Sequence, residues 1–255
     1  MDKKMLYKYI GHENVEQVIE YLKCFVEKGT IFASKPITFN DPAEFKVILN
    51  FDAEPQIIER KYFLDNPNNT KNDFNNWHNS FNKHAKWYTG YSIREIYLTQ
   101  NGTICLTRDS DNYLMWSHYA RSHTGLCIGF DDSIVECIED HAVFGDVKYS
   151  QSIPSFNYFT ETLEDFAEAM FLHKGLPWAY EKEFRIVTDK WGVKKFNKSL
   201  IKEVVIGCRA PAKLQDYVSE LIDTDIEVSK MGLSTDTYGL RKIPLKKKNY
   251  FQGDV

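Results

Sequence analysis

From Cys105 to Phe130 the chain reads CLTRDSDNYLMWSHYARSHTGLCIGF, two apolar runs enclosing a middle crowded with charged and aromatic side chains. Residues 103–107 alternate, putting Ile104 and Leu106 on one face and Cys105 and Thr107 on the other, as on a half-buried strand. Asp109, Ser110 and Asp111 offer acceptors for the free amides of a helix starting near Asn112. Gly125 supplies a left-handed stop, and 126–130 returns to the sheet. This strand, turn, short helix and strand must be a central piece of an α+β sheet, and it forms one wall of a candidate site.

Helical spacing sorts the middle into two stripes. Trp116, Tyr119, Ala120 and His123 read as a core stripe, while Asp111, Leu114, His118 and Arg121 read as an outer one. The outer stripe either presents the His118 imidazole and the Arg121 guanidinium to a ligand or is an ordinary surface with a satisfied His–Arg pair.

A second informative stretch is WAYEKEFRIVTD. Alternation over 179–188 puts Glu181, Glu183, Arg185 and Val187 on one strand face and Tyr180, Lys182, Phe184 and Ile186 on the other. Charges on a covered face must pair with each other or bind something, because an unpaired buried charge costs several kcal/mol. An exposed face carrying a Glu–Arg pair is the other reading.

Around these pieces the chain begins with an alternating strand (5–10) and an amphipathic helix (13–28) closed by Gly29. A strand at 30–34 comes next. In ITFNDPAEF, Asn40 and Asp41 ahead of Pro42 form an Asx-type turn that caps the next element, or else Phe39, Asn40, Asp41 and Glu44 line a pocket mouth. Residues 53–98 read as a helical insertion with a disordered-looking polar link, NPNNTKND, between its helices. Beyond 131 come a short helix (131–140), a strand (143–149), a helix (161–174), a buried strand (202–208), a helix (212–222) and two closing strands or extended segments (226–231 and 238–245). The lysine run of LKKKNYFQGDV reads as a solvated end.

Of 255 residues, 43% are hydrophobic and 15% aromatic, enough for a sizeable core, and the net charge of -4 gives no global field for nucleic acid. The five cysteines lack CxxC spacing and the seven histidines lack HExxH spacing, so reduced thiols and no metal are expected. No apolar stretch reaches the roughly 20 residues of a membrane span, and MDKKMLYKY lacks a signal-peptide core. A soluble cytoplasmic protein without a membrane partner is expected.

The segments LYKY, FNDPAEF, DNYLMWSHYARSHTGLCIGFD and WAYEKEFRIV, with a later strand ending in IG, resemble a bacterial family catalogued as domain of unknown function twenty-nine seventy-one, over about residues 5–210. Ala43 stands where that family usually has Phe in FNDPFE. At the level of fold order the chain is also similar to toxin-type ADP-ribosyltransferases. That similarity implies NAD as a substrate, Glu183 in the role of the late-strand Glu that holds the nicotinamide ribose, Tyr7 or Lys8 at the first-strand position, and Tyr119 as a stacking residue. The first-strand His of that fold is absent here.

The expectation is one α+β domain: a mixed, bent sheet from the N-terminal strand and strands near 30, 103, 126, 143, 182 and 202, helices outside, and the insertion over 53–98. Its function is expected to be that of a nucleotide-directed enzyme, an NAD-using ADP-ribosyltransferase-like protein of a bacterial toxin or phage-defence type. A non-catalytic nucleotide- or protein-binding sensor module is the alternative. The candidate catalytic residues are Glu183 and His118; the candidate ligand-binding residues are Tyr7, Lys8, Asn40, Asp41, Trp116, Tyr119, Arg121 and Arg185. A nucleotide-like small molecule is the expected ligand, and a protein or nucleic acid the target.

Overall fold

The computed structural model describes residues 5–245; the lysine run in the tail lies outside them. The elements are β1 (Met5–Ile10), α1 (Val15–Val26), β2 (Thr30–Ala33), β3 (Ile48–Asn50), α2 (Pro55–Asp65), α3 (Lys71–Ser80), α4 (Lys83–Gln100), β4 (Gly102–Thr107), α5 (Tyr113–His118), β5 (Leu126–Asp131), α6 (Ile134–Cys137), β6 (His141–Asp146), β7 (Lys148–Ser150), β8 (Ser155–Asn157), α7 (Leu163–Phe171), β9 (His173–Gly175), β10 (Glu183–Thr188), β11 (Gly192–Lys195), β12 (Ile201–Ile206), α8 (Ala212–Ser219), β13 (Glu227–Leu233) and β14 (Leu240–Pro244). A mixed sheet runs in the order β14-β13-β12-β5-β1-β4-β10-β6, antiparallel except where β12 meets β13. With its helices it makes an α+β fold.

Both faces of the sheet are covered. On one, Leu6, Ile10, Ile104, Leu106, Ile128 and Val204 pack against Val18, Leu22 and Phe25 of α1 and against Leu214 and Val218 of α8. On the other, Tyr9, Cys127 and Val205 meet Met115, Trp116 and Ala120 from the α5 region. A third cluster joins Leu98 of α4 to Phe166, Met170 and Phe171 around α7, to Phe45, and to Val187 of β10. The long third helix of the insertion is therefore packed into the side of the sheet.

Three local expectations are corrected. The strand near 30 is not in the large sheet: β2 pairs with β11, and only a bridge from Ser34 to Thr103 ties it to β4. The reason is occupancy, because β1 and β10 take the two edges of β4. Instead the two closing segments join the sheet as β13 and β14. The supposedly disordered NPNNTKND ends in order, since Thr70 and Asp73 form a reciprocal capping box that starts α3.

The stop after α5 also differs. The residues with left-handed backbone are Arg121, Ser122 and His123, with φ of 49°, 52° and 67°. Gly125 serves a different need, close approach: a Cβ there would lie 2.0 Å from the carbonyl oxygen of Ile10.

Candidate active site

The large sheet is parted at one place. β1 pairs with β5 from Met5 to Ile10, and β10 pairs with β4 from Glu183 to Thr188, but between β1 and β4 the register is the single pair Tyr7 opposite Thr107. A cleft of about 120 Å³ lies at this parting. Tyr7, Lys8 and Tyr9 line one side, Cys105 and Thr107 the other, and Tyr119, Asn40 and a group of carboxylates close it. The carbonyl of Cys105 accepts from Lys8 Nζ at 3.2 Å.

The floor is ionic. Arg185, with 0% exposure, donates from Nε and Nη2 to the two oxygens of Glu183, each at 2.8 Å, from Nη1 to the Phe171 carbonyl at 2.7 Å, and from Nη2 to Glu44. Lys174 Nζ lies 2.6 Å from Glu181 Oε2, 3.3 Å from Glu183 Oε2 and 3.6 Å from Glu44 Oε1. Three buried glutamates are thus balanced by two cations at the floor, with Lys8 above. A bidentate guanidinium–carboxylate pair is among the strongest of such contacts and fixes the orientation of both groups.

These contacts decide protonation. Burial alone would raise the Glu183 carboxyl, but the Arg185 charge and hydrogen bonds, with Lys174, bring it down to about 2, so it is an anion at neutral pH. Burial would lower Lys174, yet Glu183, Glu44 and Glu181 hold it above its ordinary value. Glu44 goes the other way: burial raises it more than Arg185 and Lys174 lower it. Burial lowers Lys8, and burial together with Glu183 pushes the Cys105 thiol well up. Cys105 is therefore a protonated thiol and no nucleophile. Burial and a hydrogen bond donated to Glu181 Oε1 raise the Tyr119 hydroxyl.

The candidates from sequence separate into groups. Tyr7, Lys8, Asn40, Tyr119 and Glu183 line the cleft, and Arg185 lies beneath its floor. Asp41 does not line it; its Oδ1 accepts from the Ala43 amide at 2.8 Å, the capping role. Trp116 is fully buried, with its ring edge-on to Tyr9 and Nε1 donating to the Ser110 carbonyl. His118 is exposed, 6.3 Å from the Tyr180 ring. Arg121 faces outward and pairs with Glu13 at 2.8 Å, the two side chains 54% and 75% exposed. The stripe linking His118 to Arg121 fails because α5 ends at His118 and the left-handed turn at 121–123 re-aims the Arg121 side chain.

Alternation on 179–188 holds only from Glu183 onward. Residues Leu176–Glu181 form a 3-10 turn and Lys182 is left-handed, with φ of 43°, which brings Glu181 and Glu183 to the cleft by different routes. Lys182 instead reaches out to Asp109 at 2.9 Å. The charged cleft residue that sequence reasoning missed is Lys174. It lies just past the last turn of α7, where no periodicity marks a buried cation. Among the described residues no group of three or more His, Cys, Asp or Glu is placed to hold a metal ion, since the glutamate cluster is filled by Lys174 and Arg185. No helix among them is long and apolar enough to cross a membrane.

No curated protein and no solved structure matches the chain. The matching family model, described as "Protein of unknown function (DUF2971)", covers residues 115–186, from Met115 under the cleft to β10 at its floor. Over those residues the chain is similar to the family of unknown function DUF2971.

Proposed function

We propose that the cleft is the active site of an enzyme that breaks the bond between nicotinamide and ribose in NAD and passes the ADP-ribose to a target. The observation that carries this is the ionised Glu183 at the floor, locked by Arg185 and Lys174. As nicotinamide departs with the bonding electron pair, the ribose carbon becomes positive, and a fixed carboxylate in a water-poor site stabilises that charge without reorganising. A carboxyl held near pKa 2 suits this electrostatic role and is unsuited to donating a proton.

The cleft takes a ring or a sugar, and the rest of a dinucleotide extends from its mouth. Tyr7 and Tyr119 offer aromatic surface beside the carboxylates. Four of the five Arg185 donors are taken and the side chain is sealed from solvent, so a phosphate does not reach it, and Arg121 is in a different pocket. Lys8 has no carboxylate within ion-pair distance among the described residues, so the ligand's anionic part is assigned to it. Transfer of this kind fits a bacterial toxin or phage-defence role, and the five free thiols fit a reducing, cytoplasmic compartment.

One observation favours a second reading, a nucleotide sensor without chemistry: the carboxylate oxygens of Glu181 and Glu183 already have partners within the protein. Incubating the protein with NAD and cell extract and measuring free nicotinamide separates the two. The enzyme reading expects nicotinamide in proportion to protein. Nucleotide-dependent thermal stabilisation with no nicotinamide would leave the sensor.

A further inference from the structure

A groove of about 700 Å³ lies between α4 and the segment 47–52 and shares no lining residue with the cleft. Its base is apolar and tight: Gly90 sits so close to Leu49 that a Cβ would come within 2.5 Å of Cδ1. Its rim is of another kind. Trp87 and Tyr91 are 62% and 50% exposed, their rings 5.5 Å apart at 12°, and His84 stacks on Trp87 at 21°. Lys83, Lys86 and Arg94 lie among these rings on the same helix. Positions 83, 87, 91 and 94 recur at helical spacing, so a cation stands at each end of a pair of rings along a stripe of about 16 Å.

Exposed rings of this size are costly to leave in water unless something covers them. The charges narrow the choice of partner. Lys83 has no ion-pair partner among the described residues, and Lys86 has only Asp52, at 4.0 Å. Lysine is depleted at protein–protein interfaces, whereas cations interleaved with flat aromatic faces are what a single nucleic-acid strand needs: bases stack on the rings and phosphates meet the cations. We infer that the α4 groove binds single-stranded nucleic acid through Trp87, Tyr91 and His84, with Lys83 and Lys86 on the backbone. A duplex keeps its bases stacked on one another and offers these rings nothing. The chain's overall charge of -4 does not oppose this, because the contact is local. The inference is independent of the chemistry in the cleft.

Fluorescence anisotropy with the full chain and labelled single strands of DNA and RNA, about 12 nucleotides long, tests it. The single strands bind, more weakly as salt rises, and the duplex of the same sequence binds less tightly. Trp87→Ala weakens single-strand binding roughly tenfold, the scale of one lost base stack. Lys83→Gln makes the salt dependence shallower by about 0.7 in log–log slope. Both side chains are exposed, so melting temperatures stay put. Absence of binding at about 100 µM protein in low salt, or equal affinity in Trp87→Ala, overturns the inference. So does sedimentation showing that Trp87→Ala abolishes self-association, which would make the face a protein interface.

Discussion

The floor of the cleft and the turn after α5 each hold an arginine against a glutamate, at the same distance of 2.8 Å: Arg185 on Glu183, and Arg121 on Glu13. From sequence both arginines are candidate ligand-binding residues. Their surroundings differ entirely. Arg185 is sealed from water with its donors shared among two carboxylates and a carbonyl, while more than half of the Arg121 side chain is in solvent. In the buried case, removing either partner strands a charge; in the exposed case, water and salt replace whichever partner is lost. Distance alone therefore says little about what an ion pair contributes.

The sharpest way to break this comparison is to remove each arginine. Arg185→Met leaves Glu183 and Glu44 to Lys174 alone and should cost about 3 to 5 kcal/mol of folding stability, read as a fall in the urea midpoint. If it costs no more than Arg121→Ala, the floor is not the paired network described. Glu183→Gln should lower stability for the same reason, because it leaves the buried guanidinium with Glu44 as its one carboxylate partner.

Acid gives the next largest effect. The Glu183 carboxyl lies at about 2 in the fold against an ordinary 4.5. Its folded value is depressed, so its stabilisation is fully present above pH about 4.5 and is lost as pH falls toward about 2. The amount is about 3 kcal/mol. Glu44, raised by burial, protonates earlier and offsets part of this. Urea melts across that window should show the loss, and Glu183→Gln should flatten the curve. An unchanged acid profile in the variant would remove Glu183 from the account.

Much of the framework was legible before the structure. The first helix carries a helical period, the strands around 104, 128, 184 and 204 are apolar runs, buried on both faces where 103–107 reads as half-buried, and Glu183 with Arg185 on one covered face is a consequence of alternation. The features that escaped have no local period. Glu44 reaches Arg185 across 141 positions of sequence, and nothing near Lys174 signals that three glutamates surround it. The left-handed residues at 121–123 and at 182 escaped because none is glycine, so the backbone turns that re-aim Arg121 and Lys182 leave no compositional mark.

The smallest effect expected is at the turn. Arg121→Ala should change folding stability by no more than about 1 kcal/mol and leave any turnover of NAD as it was. A marked loss of turnover without a change in melting temperature would mean that the turn, and not only the cleft, meets the ligand.

The central claim is that a fixed, ionised Glu183 acts on a charge that forms only in the transition state. Nicotinamide release from NAD by wild type, Glu183→Gln and Glu181→Gln, each at a temperature where circular dichroism shows it folded, tests it most directly. Glu181→Gln keeps the Arg185–Glu183 pair and so controls for the integrity of the floor. The account predicts that Glu183→Gln lowers turnover roughly a hundredfold or more with NAD affinity little changed, and that Glu181→Gln, still folded, loses less. Turnover retained in Glu183→Gln, or none in wild type with NAD and extract supplied, would contradict it.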